Sequence, residues 1–342
     1  MRPVTSCAKA PAMLSPLHAA LFCVGALLAA PGPAAGETLL HAPGPQGRLE
    51  GAFTPGAPDG PVGGPVDGPV DRPVLLLVPG SGPTDRDGNG LPGLRPGTYR
   101  LLAEGLAARG IATLRIDKRG LHGSHAAVRD AEAVTIEDYA ADLGTWVATL
   151  RQETGARCIW LAGHSEGGLV VLLAAQTVPD LCGLVLIATP GRPLGALLRE
   201  QLHAALPEGP LRAEAMAIIA RLEAGQGLPE TISPGLRPLF RPQIAGFLAS
   251  VFALDPARLA AGARLPMLVL QGLRDLQVGR ADAEALAGAN PAARLVLLPE
   301  ANHVLKAVTD RADNLAAYGD PDRPLAPGVV EAIAGFLAAP PG

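Results

Sequence analysis

The sequence predicts an α/β protein: a mostly parallel sheet with helices on both faces and one helical insertion. Three observations carry this. Short continuous apolar runs such as Val74-Leu75-Leu76-Leu77-Val78 recur along the chain, as expected of strands buried on both faces. Helix-length segments separate them, which is the alternation of a parallel sheet with crossover helices. The alternation stops between residues 191 and 264, where Pro207, Pro210, Pro229, Pro234, Pro238 and Pro242 break the chain into helical pieces, and then resumes.

Of the 342 residues, 48% are hydrophobic and 18% charged, which supplies a sizeable core and argues against a disordered chain. The length allows one large domain or two small ones. Aromatics make up only 3%, so the core is built mainly from Ala, Val, Leu and Ile. The net charge of −4 is dispersed, with no basic block to suggest nucleic acid and no acidic tail. Such neutrality is compatible with a small uncharged ligand, and equally with an ordinary solvated surface.

At the N-terminus, Arg2 and Lys9 precede an apolar run over 17–30, and the small residues Pro33-Ala34-Ala35-Gly36 follow. This is the layout of a secretory signal peptide, with cleavage expected near Glu37. The run falls short of the roughly 20 residues that span a bilayer, so a periplasmic or secreted chain with no stable membrane insertion is expected. Phe22 before Cys23 is too bulky for a lipoprotein site.

Residues 37–54 alternate loosely and suggest an entering hairpin. The segment 56–73 is rich in Gly and Pro and reads as an enlarged surface loop, because Pro removes backbone donors and Gly costs entropy. Strands are then expected at 74–78, 111–116, 158–162, 184–187, 267–270 and 294–298. Helices are expected at 98–109, 135–152, 167–176, 281–287 and 329–337. Gly110 closes the first helix, and Thr135 with Glu137 and Asp138 opens the second.

Gly163-His164-Ser165-Glu166-Gly167 fits Gly-x-Ser-x-Gly between a buried strand and a helix. A sharp turn there strains the serine and pushes its hydroxyl outward, the flanking glycines let two backbones approach, and the helix N-terminus favours developing negative charge. Serine needs a base. Of seven histidines, only His303 lies beyond every βα unit, on a loop leaving a strand's carboxyl end, where ligands meet open parallel sheets. His164 is the variable position of the elbow, and the others fall in the leader, before the sheet, in a Gly-rich loop or in the insertion. An acid must hold the base's tautomer. Asp275, after the strand at 267–270, is the candidate, with Asp282 read as a helix-start residue and Asp310 as a solvated-loop residue. Oxyanion donors would be the N–H groups of Glu166 and of Ser81, the latter flanked by Gly80 and Gly82.

Gly80-Ser81-Gly82-Pro83, Asp117-Lys118-Arg119-Gly120, the elbow, Asp275 and Asn302-His303-Val304-Leu305-Lys306 together resemble the α/β-hydrolase superfamily, and within it the serine aminopeptidase-like and small esterase branch. The order Ser165, Asp275, His303 is that of this superfamily. The resemblance implies the α/β-hydrolase fold: a mostly parallel eight-stranded sheet with helices on both faces and a helical cap after the sixth strand. It divides the chain into a signal peptide (1–36), a first part of the hydrolase core (37–190), the cap (191–264) and a second part of the core (265–342). Asp117 and Arg119 would hold their turn structurally. Pro79 stands where many relatives have His, and Gly120-Leu121-His122-Gly123-Ser124 replaces the commoner Gly-x-Gly-x-Ser. Strands opening at Cys158 and Cys182 are adjacent in that fold, so a disulfide is expected, with two buried free thiols as the alternative.

The expected activity is hydrolysis of a small carboxylic ester by a Ser-His-Asp acyl-enzyme mechanism. Thioester or amide cleavage, including aminopeptidase action with Asp85, Asp87 or Glu166 binding an amine, is the enzymatic alternative, and a non-catalytic ligand-binding protein on a hydrolase scaffold is the other class. The cap, through aromatics such as Phe240 and Phe247, is expected to roof Ser165 and line an acyl pocket. No dinucleotide fingerprint, P-loop or metal-ligand pattern occurs, so no cofactor is expected.

Overall fold

The computed structural model describes residues 36–60 and 72–339. The expected signal peptide, except Gly36, and most of the Gly/Pro-rich loop lie outside the described residues. The chain enters through the hairpin β1 (Thr38–Pro43) and β2 (Arg48–Thr54). Six further strands follow: β3 (Val74–Val78), β4 (Ala112–Ile116), β5 (Ile159–His164), β6 (Leu181–Ile187), β7 (Met267–Gly272) and β8 (Ala293–Leu298). They form one sheet in the order β1-β2-β4-β3-β5-β6-β7-β8. The pairs β1–β2 and β2–β4 are antiparallel, and every other pair is parallel. This is the eight-stranded, mostly parallel architecture expected from the sequence.

Successive side chains of a strand face opposite sides, so each central strand feeds two cores. Leu76, Val78, Leu161, Leu184, Leu186 and Val269 pack on one face, under α2 (Ile136–Thr154), α3 (Glu166–Ala174) and α8 (Arg280–Ala289). Leu75, Leu77, Trp160, Ala162, Val185, Ile187, Leu268 and Leu270 pack on the other, under α1 (Thr98–Ala107) and α10 (Val329–Leu337). Thr135 and Asp138 cap α2 reciprocally, and Gly155 ends it with a φ of 72°. The helix α9 (Arg311–Ala316) was not anticipated; Asp310, read as a solvated-loop residue, caps it by accepting the N–H groups of Ala312 and Asp313.

The insertion holds α4 (Leu194–Ala205), α5 (Pro210–Glu223), α6 (Ala245–Phe252) and α7 (Pro256–Gly262), and prolines stand at the first turns of α5 and α7, where a missing N–H is harmless. It has its own core of Leu198, Leu202, Ile218, Ile219, Phe240 and Leu248, among others. Its last helix belongs to the sheet's core, through Ala260. Phe247 stacks edge-on against Tyr139, and Ser250 Oγ accepts the Ile136 N–H. Among the described residues, no single helix is long and apolar enough to cross a membrane.

Cys158, just before β5, and Cys182, in β6, form a disulfide with a Cα separation of 5.2 Å. It sits at the amino ends of the two strands, the end opposite Ser165.

Candidate active site

Ser165 stands between β5 and α3 with φ 54° and ψ −123°, a region that L-residues avoid at a cost of about 1–3 kcal/mol. The surroundings over-determine this. Its N–H donates to Ile187 O of β6 at 2.8 Å. A Cβ on Gly163 would run into the Gly167 carbonyl, and one on Gly167 into the carbonyls of Val78 and Pro79. Only glycines let strand, elbow and helix close up so tightly, and the packing forces the serine out of the extended or helical regions.

Asp275 lies beyond β7 and His303 beyond β8. His303 Nδ1 is 2.8 Å from Asp275 Oδ2, with the carboxylate fully buried and the imidazole 6% exposed. Asp275 Oδ1 accepts the N–H groups of Gln277 (2.7 Å) and Val278 (3.0 Å), and Oδ2 also accepts from Gln271 Nε2 at 3.2 Å. The carboxylate can only accept, so Nδ1 carries the proton and Nε2 is left basic. Asp282 stands elsewhere: it pairs with Arg192 at 2.7 Å and accepts the Gly191 N–H, fastening the insertion to α8.

Buried amides lock the loop of the histidine. Asn302 Oδ1 accepts the Lys306 N–H at 2.9 Å, its Nδ2 donates to Asn314 Oδ1 at 3.1 Å, and Asn314 Nδ2 donates to Arg274 O at 2.7 Å. The loops of His303 and Asp275 are thereby joined through α9.

His164 is buried. Its Nε2 lies 2.8 Å from His303 O, and its Nδ1 lies 2.9 Å from the Tyr99 hydroxyl, which accepts the Gly80 N–H at 3.0 Å. A carbonyl can only accept, so Nε2 donates and Nδ1 accepts from Tyr99, which requires a neutral ring. Burial, with His303 alongside, pushes its pKa down to about 3.

Ser81 lines the same cavity as Ser165, and Glu166 opens α3 directly after the serine. Gly80 lies so close that a Cβ there would be 3.4 Å from Ser165 Cβ. Lys118 Nζ donates to Gly80 O at 2.7 Å and to Glu166 Oε1 at 3.2 Å. Asp117 accepts from Arg86 and from the Gly123 N–H, and Arg119 grips Asp142 through two 2.6 Å bonds, the structural parts expected of both.

Ser165 and His303 open together on a cavity of about 80 Å³, lined also by Ser81, Thr84, Leu94, Tyr99, Gln277, Val304 and Tyr318. None of its lining residues comes from the insertion, contrary to the expected cap pocket: Phe240 is fully buried in the insertion's own core. Nor, among the described residues, does a carboxylate line it. Asp85 is committed to the N–H groups of Asp87 and Asn89, Asp87 pairs with Arg115, and Glu166 with Lys118. The sequence signalled the three triad candidates and both candidate oxyanion loops. It did not signal Tyr99, Gln277, Asn314 or Tyr318, because nothing local distinguishes them from core or loop residues.

A family model described as serine aminopeptidase, S33, matches residues 95–215, a stretch that includes Ser165 but not Ser81, Asp275 or His303. The chain is 28% identical over 214 residues to esterase EstD of Thermotoga maritima, covering 61% of this chain and 48% of that protein. It is 33% identical over 90 residues to a thermostable monoacylglycerol lipase of Bacillus sp. strain H-257, covering 26% and 34%. It thus spans about half, or less, of the curated relatives it matches. Among solved structures, Est1E from Butyrivibrio proteoclasticus superposes with a TM-score of 0.52 at 15% identity, over 88% of this chain and 96% of that one. The Pyrococcus furiosus esterase Pf2001 gives 0.52 at 15%, over 93% and 100%. These two likenesses concern the fold.

Proposed function

We propose, for a chain that belongs to the α/β-hydrolase superfamily, that it is an exported serine hydrolase cleaving small, uncharged carboxylic esters through an acyl-enzyme. The carrying observation is the cavity that Ser165, on its strained elbow, shares with His303, whose Nδ1 is held by Asp275.

In this reading His303 Nε2 takes the Ser165 hydroxyl proton while Oγ attacks the ester carbonyl carbon. The carbonyl oxygen becomes an oxyanion facing the N–H groups of Ser81 and Glu166. The tetrahedral species collapses, the C–O bond to the alcohol breaks, and His303 returns its proton to the leaving oxygen. Water then attacks the acyl carbon, giving its proton to His303, and the acid leaves as Ser165 regains its own. Asp275 holds the tautomer and stabilises the imidazolium.

The ester is favoured over an aminoacyl substrate because, among the described residues, no carboxylate lines the cavity to pair with an ammonium group, and because the curated relatives are an esterase and a lipase. Export rests on the N-terminal pattern and is compatible with the Cys158–Cys182 disulfide. The division into leader, core and cap at residues 36, 190 and 264 belongs to the same proposal.

The test is labelling with a fluorophosphonate, then rates on p-nitrophenyl esters, the matching thioesters and alanine p-nitroanilide. Labelling lost in Ser165→Ala and faster ester turnover are expected. Faster anilide turnover would replace the ester reading with an aminopeptidase. No labelling and no turnover would leave a ligand-binding protein. Amino-terminal sequencing of the exported chain should begin near Glu37.

A further inference from the structure

We infer that Lys118 is a positioning residue for the oxyanion site, aiming the Ser81 N–H through the peptide unit that Ser81 shares with Gly80. The inference rests on the acyl-enzyme reading above.

Lys118 follows β4, whose parallel neighbour β3 leads into the Gly80-Ser81 loop, so the sheet order sets the lysine beside that loop. The residue is only 4% exposed. Burying an ammonium group is expensive unless its protons are used. Here it reaches Gly80 O at 2.7 Å and Glu166 Oε1 at 3.2 Å, and it lies 5.0 Å from the centre of the Tyr139 ring.

Gly80 O and the Ser81 N–H belong to one planar trans unit, in which the carbonyl and the N–H point in opposite directions. An ammonium that holds the oxygen therefore turns the N–H the other way. Ser81 lines the cavity on which Ser165 opens, and among the described residues no group accepts its N–H. A donor to the carbonyl also polarises the amide and strengthens its N–H as a donor. The same Nζ grips Glu166, whose N–H is the other proposed donor and, as the first of α3, has no helical acceptor behind it. One buried cation thus ties together the two groups that would face the oxyanion. The Gly80 N–H, in the preceding peptide unit, donates to Tyr99, so the backbone is held on both sides of the Gly80 Cα.

Lysine itself touches no reacting atom, so its removal should act on the transition state and leave substrate binding alone. Losing a whole oxyanion donor lowers kcat about 10²–10³-fold; misaiming one in Lys118→Met should lower it roughly 10–100-fold with KM nearly unchanged. Affinity for a trifluoromethyl ketone, which forms a tetrahedral oxyanion on the serine, should fall by the same factor. Lys118→Gln, which keeps an N–H donor, should recover part of both.

Ser165→Ala is measured alongside. If that variant keeps its activity, the acyl-enzyme reading itself fails. If it is dead while Lys118→Met keeps kcat within threefold, only the role of Lys118 falls, as it also does if the ketone affinity is unchanged. Should Lys118→Met not fold, a crystal structure of the wild type inactivated by a p-nitrophenyl alkylphosphonate decides. The phosphoryl oxygen is expected on the N–H groups of Ser81 and Glu166 with Gly80 O still on Lys118. An oxygen received elsewhere, or a Gly80 carbonyl released from Lys118, overturns the inference.

Discussion

The imidazole of His164 donates a 2.8 Å hydrogen bond to the backbone carbonyl of His303, so the residue before the elbow serine holds the loop that carries His303. On the other side of the ring Nδ1 accepts from the Tyr99 hydroxyl, which requires a neutral imidazole, and burial lowers the ring's pKa from 6.5 to about 3. In the unfolded chain His164 takes up a proton near its ordinary pKa, so between about pH 3 and 6.5 the unfolded state binds the extra proton. Stability should then rise with pH across this window and fall on acidification, by up to about 1.4 kcal/mol per pH unit. His164→Gln retains a donor and an acceptor without the titration. Urea midpoints from pH 4 to 7 should show a shallower acid limb for the variant than for the wild type; parallel limbs would contradict the assignment.

Ser165→Ala should abolish turnover, lowering kcat by about 10⁶. The fold should persist, because alanine keeps the Cβ and leaves the strained φ at this position as it is. The checks are ester hydrolysis and the thermal midpoint.

Asp275 and Asp282 should separate cleanly. Asp275→Asn is expected to lower kcat by roughly 10⁴ through the wrong histidine tautomer, with little effect on stability. Asp282→Asn should do the reverse. It breaks the pair with Arg192, a residue about a third exposed, and loosens the insertion's first turn, at a stability loss on the order of 2 kcal/mol. A kinetic defect in Asp282→Asn larger than in Asp275→Asn would reassign the acid.

The Cys158–Cys182 bond closes a loop of sequence separation 24. By loop-closure entropy the double Cys→Ser variant should lose about 3 kcal/mol of stability. Its kcat/KM at 25 °C should stay near the wild-type value, because the bond lies at the amino ends of the strands whose carboxyl ends carry the site. Denaturant titration and ester assays on the oxidised protein and the variant test both halves.

The cavity beside Ser165 is small and bounded by Leu94 and Val304 rather than by the insertion. Short acyl esters should therefore be the better substrates, and Leu94→Ala should move the optimum to longer chains. Phe240→Ala, in the insertion's own core, should instead destabilise the protein by about 3–5 kcal/mol and leave the chain-length profile unchanged. A p-nitrophenyl series from acetate to octanoate on the three proteins decides between these walls.

By itself the sequence determined the sheet and the elbow. Five apolar residues in a row at Val74–Val78 must be buried on two faces, and both cores take them alternately. Gly163, Ser165 and Gly167 lie within five residues, so one local backbone constraint makes them readable together. His303 and Asp275 were legible because each follows a strand end, and all strand carboxyl ends of a parallel sheet meet on one side. What the tertiary structure alone decided was the partner of each polar group. The order β4-β3-β5 does not follow the chain, so it sets Lys118 against Gly80 and Glu166, 38 and 48 positions away. Tyr99 meets His164 across 65 positions, and His164 meets His303 across 139. The insertion's apolar residues likewise gave no sign whether they would face the serine or one another. Periodicity records that a side chain is buried, whereas which atoms it meets depends on strand order and crossover length, and these arise only when the layers pack.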